Sequence, residues 1–555
     1  MGLTHFIIVL ICFSCIHISY AEVSLTFNGL EAVIKNDYLT LNFRNNSRIR
    51  SLYVGDTNII HRSSNSFYMD WMKSTHIFFK PTSVHVVENT TSRVHFYWLQ
   101  DQLEDEYTME MHYIMTDDLS GIYCYVKVIN DKELNFTTAE SRMVYRYNAT
   151  ILTQGTNQER SGTIPNGREL KNCTSVQDAT CRFPNGTYYT KYDYAAYIKQ
   201  TNYQGLYGNG HGAFLISPSR EYHSGGPLRQ DITVHEECLI TNYFSSTHFG
   251  SSVVRGPLGW THIYGPFLHY YPTGTSDDDI MSKVVKQVEI EKASWPYSWM
   301  NDTEYPLERA QVSGSVSGQS NATIVIWDSL DEEFDDNSYG YLYTTNTDAE
   351  GNYIIKNIRP GTYRMAAFPR AGLGTDSLDE TNVTLEANEN AKVNFALEEP
   401  TDILWSIGEA NRLSSEFKYS NELRNYQWEW KPPATLNFTI GQSNPAEDWY
   451  YAQSLAGHWY IIYEDTNDNK DRILRLGIAG STKSHLQVLV NGKRVANLYF
   501  KNDSSVYRSA TQSGKYHSQV ITIPSSYVVT GNNTIHLWLS QGQIMYDCIS
   551  LQTGQ

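Results

Sequence analysis

The stretch at residues 94–129 reads VHFYWLQDQLEDEYTMEMHYIMTDDLSGIYCYVKVI. Three short runs in it are rich in aromatic and β-branched residues, and turn-forming residues such as Asp and Gly separate them. Runs of this kind are typical of β-strands. Similar runs recur further along the chain as ATIVIWDSL, YIIKNI, LQVLVNGKRV and TIHLWLS. The sequence therefore predicts an all-β fold.

One segment instead predicts a helix. Ser276 favours a helix N-cap, and the three aspartates after it suit the positive end of a helix dipole. Apolar residues then recur at helical spacing at Ile280, Val284, Val285 and Val288. We interpret the aspartates as helix capping and not as a metal site.

The 555-residue chain is too long for a single hydrophobic core. The turn-rich stretch SWPYSWMNDTEYPLERA, residues 294–310, follows the predicted helix and indicates a domain boundary. The next unit includes DAEGNYIIKNIRPGTYRMAAF, residues 348–368, which predicts a β-hairpin with Pro360 and Gly361 at its turn. We therefore predict three domains, at residues 22–304, 305–398 and 399–555.

The N-terminus has the features of a signal peptide. The apolar run at residues 6–16 precedes Ser-Tyr-Ala at residues 19–21, a small-x-small pattern that a signal peptidase can cut before Glu22. Because this run is too short to cross a bilayer, we predict removal of residues 1–21, secretion, and no membrane partner. Twelve N-x-Ser/Thr sequons agree with a glycosylated extracellular protein. They begin at Asn45, Asn89, Asn135, Asn148, Asn172, Asn185, Asn301, Asn321, Asn382, Asn437, Asn502 and Asn532.

The cysteines divide into a close pair and three distant ones. Cys173 and Cys181 are close enough in sequence to close a small loop, so we predict a disulfide between them. Cys124, Cys238 and Cys548 are most simply buried thiols, although a second pair among them is left open.

The formal net charge of -17 argues against nucleic acid as a partner. An anionic substrate would need a few bases placed locally. Four candidates lie in the glycine-rich and polar loops and strands between residues 140 and 270: Arg142, Arg146, Lys191 and His248. Arg142 and Arg146 are four residues apart, so on a strand they point to one face and could form a clamp for a carboxylate.

Four stretches in this region carry a family resemblance, in the order ESRMVYRYN (140–148), YYTKYDYAAYI (188–198), GGPLRQD (225–231) and YFSSTHFG (243–250). Together they resemble the rhamnogalacturonan lyases of polysaccharide lyase family four. PGTYRMAAF (360–368) resembles part of that family's middle domain. Three further stretches resemble the C-terminal domain of that family: WSIGEANRLSSEF (405–417), DWYYAQ (448–453) and LQVLVNG (486–492).

The resemblance implies a large N-terminal β-sandwich of the galactose-mutarotase-like supersandwich type, a fibronectin type III-like middle domain and a C-terminal jelly roll that resembles carbohydrate-binding modules. It implies a substrate, the rhamnogalacturonan I backbone of pectin, which is cut between rhamnose and galacturonate by β-elimination to leave an unsaturated galacturonate. It also implies that Lys191 and His248 are catalytic, and that Arg142, Arg146 and Tyr243 bind substrate.

The chemistry of elimination suits these residue types. Neutralising the uronate carboxylate would stabilise the charge that develops when the C5 proton leaves, and a neutral imidazole can take that proton. We expect His248 to be the base, kept neutral by surrounding cations. Lys191 could neutralise the carboxylate or donate a proton to the departing oxygen. We expect no cofactor in catalysis and a monomeric protein, and leave open a structural Ca²⁺ in an accessory domain.

Two alternative functions remain open in addition to that of a lyase. A glycoside hydrolase would need a pair of carboxylates, and Glu236 with Glu237, or Asp231 with one of them, are the candidates, although adjacent glutamates on a strand face opposite ways. A non-catalytic pectin-binding protein could keep the same fold. Other histidines in the loop region are held in reserve as catalytic candidates, and their spacing does not suggest a metal site. These are His211, His223, His235 and His262.

Overall fold

The computed structural model describes residues 22–61, 65–101, 106–132, 138–236, 238–250, 253–422, 431–508 and 511–554. Strands dominate these residues, which confirms the predicted all-β fold. The α-helices among them are α1 (Gly167–Leu170), α2 (Asp277–Ser294) and α3 (Pro445–Asp448). None of the described helices has the length and apolar character of a membrane span. The predicted signal peptide, residues 1–21, lies outside the described residues.

The N-terminal region is built from the following strands: β1 (Ser24–Asn28), β2 (Glu31–Lys35), β3 (Leu39–Phe43), β4 (Ile49–Val54), β5 (Thr57–Asn58), β6 (Tyr68–Met72), β7 (His76–Phe78), β8 (Ser83–Asn89), β9 (Arg93–Gln100), β10 (Thr108–Thr116), β11 (Gly121–Ile129), β12 (Glu140–Arg146), β13 (Gln154–Thr156), β14 (Ser161–Thr163), β15 (Thr174–Gln177), β16 (Thr180–Arg182), β17 (Tyr188–Thr190), β18 (Ala195–Tyr197), β19 (Tyr203–Gly208), β20 (His211–Ile216), β21 (Gln230–Ile232), β22 (Val234–His235), β23 (Leu239–Ser245) and β24 (Thr261–Tyr270).

These strands form one large and several smaller sheets. The nine-stranded sheet has the order β14-β13-β19-β20-β24-β11-β10-β9-β8, and two five-stranded sheets have the orders β1-β2-β3-β4-β5 and β22-β23-β12-β6-β7. Strands β15-β16-β17 and β18-β21 form two small sheets beside them. Strands β10 and β11 pair antiparallel in the nine-stranded sheet, as do β9 and β10.

The sheet that contains β12 is half of a sandwich. Met143 and Tyr145 of β12 lie in one buried core with Trp98 of the nine-stranded sheet. Because side chains alternate along a strand, Arg142 and Arg146 point away from this core, to the open face of the sheet. We call this surface the open face.

Helix α2 covers the other side of the nine-stranded sheet. The Ser276 hydroxyl accepts a hydrogen bond from the Asp279 amide at 3.2 Å, which confirms the predicted N-cap. Ile280, Val284 and Val288 pack in a buried cluster with residues of the sheet. Val285 does not belong to this apolar face, because its side chain is 51% exposed.

The middle region contains β25 (Ala310–Gly318), β26 (Ala322–Trp327), β27 (Leu342–Asn346), β28 (Asn352–Ile358), β29 (Gly361–Pro369), β30 (Asp379–Leu385), β31 (Asn390–Lys392) and β32 (Phe395–Leu397). One sheet holds β28, β25, β31 and β32, and the other has the order β27-β26-β29-β30. The predicted hairpin is therefore wrong. Strands β28 and β29 exist, but they belong to opposite sheets, and Pro360 lies where the chain crosses from one to the other.

The C-terminal region contains β33 (Ile403–Ile407), β34 (Thr435–Thr439), β35 (Ala452–Gln453), β36 (Gly457–Asp465), β37 (Arg472–Val490), β38 (Lys493–Phe500), β39 (His517–Ile523) and β40 (Gly531–Thr553). They form an eight-stranded sheet in which β34-β36-β40-β37-β38 is the main path. The long strands β37 and β40 bend, and a buried core that includes Trp449 and Trp459 fills the interior of this region.

The cysteines behave as predicted. Cys173 and Cys181 form a disulfide with their Cα atoms 5.6 Å apart. Cys124, Cys238 and Cys548 are free and buried. The disulfide closes the loop that leads to β17, and the next residue after β17 is Lys191.

Candidate active site

Arg142 lies in the middle of the open face, where neighbouring strands hold its guanidinium. Its backbone is opposite Asp70 on β6 and Tyr243 on β23. The Arg142 side chain donates to both carboxylate oxygens of Asp70 at 2.9 and 3.2 Å and to the Tyr243 hydroxyl at 2.9 Å. It is also 2.9 Å from a carboxylate oxygen of Glu140. Arg142 is thus fixed in place by two acids and a phenol.

Arg146 lies on the same face, as predicted, but about 13 Å further along the strand by the usual rise per residue. It lines a cavity of about 770 Å³. Arg48 and Arg168 also line this cavity. Because Arg142 is already paired with two carboxylates, the predicted two-arginine clamp does not form at one point on the open face.

His248 follows the end of β23, in a turn at residues 246–250 that we call the histidine loop. The turn brings the imidazole back over Tyr243, with the ring centroids 5.1 Å apart. Two acids face it: Nδ1 is 3.5 Å from Asp231, and Nε2 is 3.9 Å from Glu140. The sequence-based expectation named only cations around the histidine, whereas β12 and β21 bring the carboxylates of Glu140 and Asp231 close to it.

Asp231 is held firmly behind the histidine. It is fully buried, and one carboxylate oxygen accepts hydrogen bonds from Arg229 at 2.6 Å and from the Ser246 hydroxyl at 2.7 Å. The other oxygen, which faces His248, accepts from the Ile232 amide at 2.9 Å. Burial raises the pKa of Asp231, but His248 and Arg229 outweigh burial, so that its pKa lies below the ordinary value. Asp231 is therefore an ionised carboxylate aimed at Nδ1.

Lys191 and His248 lie beside the same aromatic ring. The Lys191 ammonium is 5.1 Å from the Tyr192 ring centroid, and the Tyr192 and His248 centroids are 6.2 Å apart. Burial lowers the pKa of Lys191, and the charges of Asp178 and Glu236 oppose that shift without cancelling it. The two residues separated by 57 positions in sequence thus share one site.

Arg508 is a residue of this site that sequence reasoning missed. It comes from the C-terminal region, and its guanidinium lies 5.2 Å from the Tyr192 ring centroid. It donates to the backbone carbonyl of His248 at 2.6 Å and to Asp178 at 3.0 Å. No local signal marks it, because the polar sequence YRSATQSGK at 507–515 contains no motif that indicates a functional site.

The reserve histidines have different surroundings from His248. His223 and His262 are buried, and burial is the main cause that lowers the pKa of each. His235 is 3.0 Å from Glu236, whose carboxylate also accepts from the Tyr189 hydroxyl. His211 lies at the start of β20. Glu237, the other acid of the hydrolase alternative, lies outside the described residues.

Two groups of acids and histidines in the described part of the chain have potential ligand atoms within 4.8 Å of one another. One joins Asp70, His76 and Glu140. The carboxylates of this group already pair with Arg142, so their negative charge, which would be needed to bind a metal cation, is neutralised. The other group consists of Glu110, His112 and Asp302, and its Asp302 pairs with Lys127 at 3.0 Å.

Family models match three successive parts of the chain. The model described as "Rhamnogalacturonan lyase B, N-terminal" matches residues 68–281. The models described as "Polysaccharide lyase family 4, domain II" and "domain III" match residues 308–393 and 403–551. The three matches follow one another along the chain in the order of the N-terminal, middle and C-terminal regions.

Similar curated proteins span nearly the same length. A "Rhamnogalacturonate lyase" from Dickeya dadantii is 35% identical, over 95% of this chain and 94% of that protein. A "Probable rhamnogalacturonate lyase B" from Aspergillus terreus is 24% identical, over 79% of this chain and 74% of that protein. A "Rhamnogalacturonate lyase B" from Emericella nidulans is 22% identical, over 83% of this chain and 78% of that protein.

Proposed function

The chain belongs to polysaccharide lyase family 4, and from this membership we propose that it is a rhamnogalacturonan lyase that cuts between rhamnose and galacturonate by β-elimination. The observation that carries the proposal is that His248 and Lys191 both lie beside the Tyr192 ring, next to the open face. Elimination from a uronate requires a base and a cation in the same site.

The reaction breaks two bonds of the galacturonate. The C5–H bond gives its proton to a base, a double bond forms between C4 and C5, and the C4–O bond breaks so that the oxygen leaves with rhamnose. The negative charge that develops at C5 spreads onto the carboxylate. Cations held close to that carboxylate stabilise this charge most strongly where water is excluded.

We assign the proton transfer from C5 to His248. When Asp231 accepts the Nδ1 proton, Nε2 keeps the lone pair that a general base needs. The 3.5 Å separation is longer than a hydrogen bond, and such contacts commonly tighten when substrate binds. His248 would therefore present Nε2 to the substrate from above Tyr243.

We assign the positive charge at the substrate to Lys191, with Arg142, Arg146 and Tyr243 as the proposed substrate-binding residues. The Lys191 ammonium lies 5.1 Å from the Tyr192 ring centroid, and within the described part of the chain no carboxylate forms an ion pair with it. Its charge is therefore suited to a substrate carboxylate. Because Arg142 is held by Asp70 and Glu140, its role would be to orient Tyr243 and to offset the two acids.

The N-terminal sequence and the sequons bear on where the enzyme acts. We propose that it is exported and acts outside the cell as a monomer, on the basis of the N-terminal pattern and the sequons. We also propose that the protein's own cations replace a catalytic metal. Whether a Ca²⁺ binds an accessory domain is left open.

The products test the reaction class. Digestion of rhamnogalacturonan I is expected to raise ultraviolet absorbance in step with new reducing ends, because elimination creates a C4–C5 double bond in the uronate. A metal chelator should leave the rate unchanged. New reducing ends without absorbance would instead show a hydrolase, and binding of pectin fragments without either signal would show a non-catalytic binding protein.

Replacing Asp231 with asparagine is expected to lower kcat about 10- to 100-fold with little change in KM, because the amide no longer fixes the His248 tautomer. The change also leaves Arg229 buried beside a neutral group, so the unfolding temperature should fall. Asp465→Asn is a matched control, since Asp465 forms a buried pair with Arg472 far along the chain. An equal loss of kcat in both variants would contradict the orienting role.

A further inference from the structure

A segment of the C-terminal region packs directly under the candidate site. Residues 503–508 and 511–515 lie between β38 and β39 and contact the N-terminal region at several points. Gln230, the neighbour of Asp231, accepts hydrogen bonds from the Thr511 amide at 2.8 Å and hydroxyl at 2.7 Å. A Cβ added at Gly250, the last residue of the histidine loop, would lie 2.6 Å from the Cβ of Asp503. The segment and the loop are therefore in close contact.

Arg508 makes the contacts of this segment that reach furthest into the site. Its side chain is only 18% exposed. Nη1 donates to the His248 carbonyl at 2.6 Å, while Nε and Nη2 each lie 3.0 Å from one oxygen of Asp178. That same oxygen accepts the Tyr192 hydroxyl at 2.8 Å. One guanidinium thus connects the backbone of His248 with the ring beside Lys191.

We propose that Arg508 is a positioning residue of the lyase site, supplied by the C-terminal domain, and that it holds the histidine loop and Tyr192 in the arrangement that the elimination needs. This inference rests on the proposed lyase function. The C-terminal domain then has a part in catalysis that does not depend on whether it binds sugar by itself.

The geometry calls for arginine and not merely for a positive charge. The planar guanidinium bonds two acceptors in different directions and at the same time lies over the Tyr192 ring. A lysine ammonium at this position could bond one of these acceptors. It could not bond both and also stack on the Tyr192 ring as the planar guanidinium does. Bonds from a charged donor are also roughly twice as strong as neutral ones, so the His248 carbonyl is held firmly.

The charge of Arg508 has a second effect on the site. It is one of the groups that lower the pKa of Lys191, together with burial, whereas Asp178, Glu236 and Glu140 raise it. Removing the guanidinium should therefore raise the pKa of Lys191. An arginine that linked two domains at a distance from Lys191 would have no such effect.

The test compares Arg508→Ala and Arg508→Lys with wild type on rhamnogalacturonan I, well below the unfolding temperature. In Arg508→Ala we expect kcat to fall about 10- to 100-fold, KM to change less, and the alkaline limb of the pH profile to move upward. Arg508→Lys should lose kcat but keep the alkaline limb, because the charge remains. Arg475→Ala is the matched control, since Arg475 also bridges two domains, to Asp376, but touches no residue of the site.

A second measurement does not depend on activity. Amide hydrogen exchange at residues 246–250 should be faster in Arg508→Ala than in wild type or Arg475→Ala. Wild-type protein without lyase products would overturn the proposed function, and the exchange result would still decide the positioning role. If Arg508→Ala matches Arg475→Ala in kcat, in pH profile and in exchange, the inference is wrong.

Discussion

Replacing His248 with alanine is expected to lower kcat at least about 100-fold, since general-base catalysis is typically worth 10²–10⁴-fold. The loss should fall on kcat more than on KM, because the imidazole acts when the C5 proton leaves and not when the sugar binds. Folding should be preserved. The side chain lies at the edge of the open face, and the histidine loop is held through the His248 carbonyl, which alanine keeps.

A small base added to the His248→Ala protein sharpens this test. The space that the side chain leaves, next to Tyr243 and Asp231, should let free imidazole restore part of the activity. His211→Ala is the matched control, because His211 was held in reserve as a catalytic candidate and lies at the start of β20, opposite Gly208. Full activity in His248→Ala, or an equal loss in His211→Ala, would remove the assignment of the base.

The features that sequence predicted well depend on local pattern. Alternation along ESRMVYRYN is enough to direct Arg142 and Arg146 to one face, because side-chain direction in a strand follows from position alone. The N-cap at Ser276 is likewise a local effect between a hydroxyl and an amide three residues on. Short-range chemistry of this kind is visible in a single sequence.

The features that sequence missed depend on which distant segments meet. The turn at Pro360 has the same local chemistry whether the next strand pairs with its predecessor or crosses to the facing sheet. Tyr353 and Tyr363, one from each strand, both point into the shared core, as facing sheets require. Asp231 and Arg508 contact His248 although they lie 17 and 260 residues from it in sequence. The residues that flank His248 in sequence carry no charge and gave no sign of either contact.

Replacing Lys191 with alanine is expected to lower kcat/KM at least about 100-fold, because the charge that neutralises the substrate carboxylate is lost as the enolate forms. Lys191→Arg should keep more activity than Lys191→Ala, since it keeps the charge but not the shape. Lys283→Ala serves as the control, because Lys283 is a surface residue of α2 paired with Asp279. Product formation is followed by ultraviolet absorbance.

The pH dependence tests whether Lys191 acts as a protonated amine or as a neutral base. Burial lowers its pKa below the ordinary lysine value of about 10.4, and Asp178 and Glu236 only partly oppose this. Both neutralising the carboxylate and donating to the leaving oxygen need the protonated amine, so kcat/KM should fall as pH rises through that lowered pKa. Lys191→Arg, which stays charged, should lose this fall. If kcat/KM instead rises through a basic pKa that Lys191→Arg abolishes, the neutral amine is the base, and the proton-abstracting role assigned to His248 is wrong.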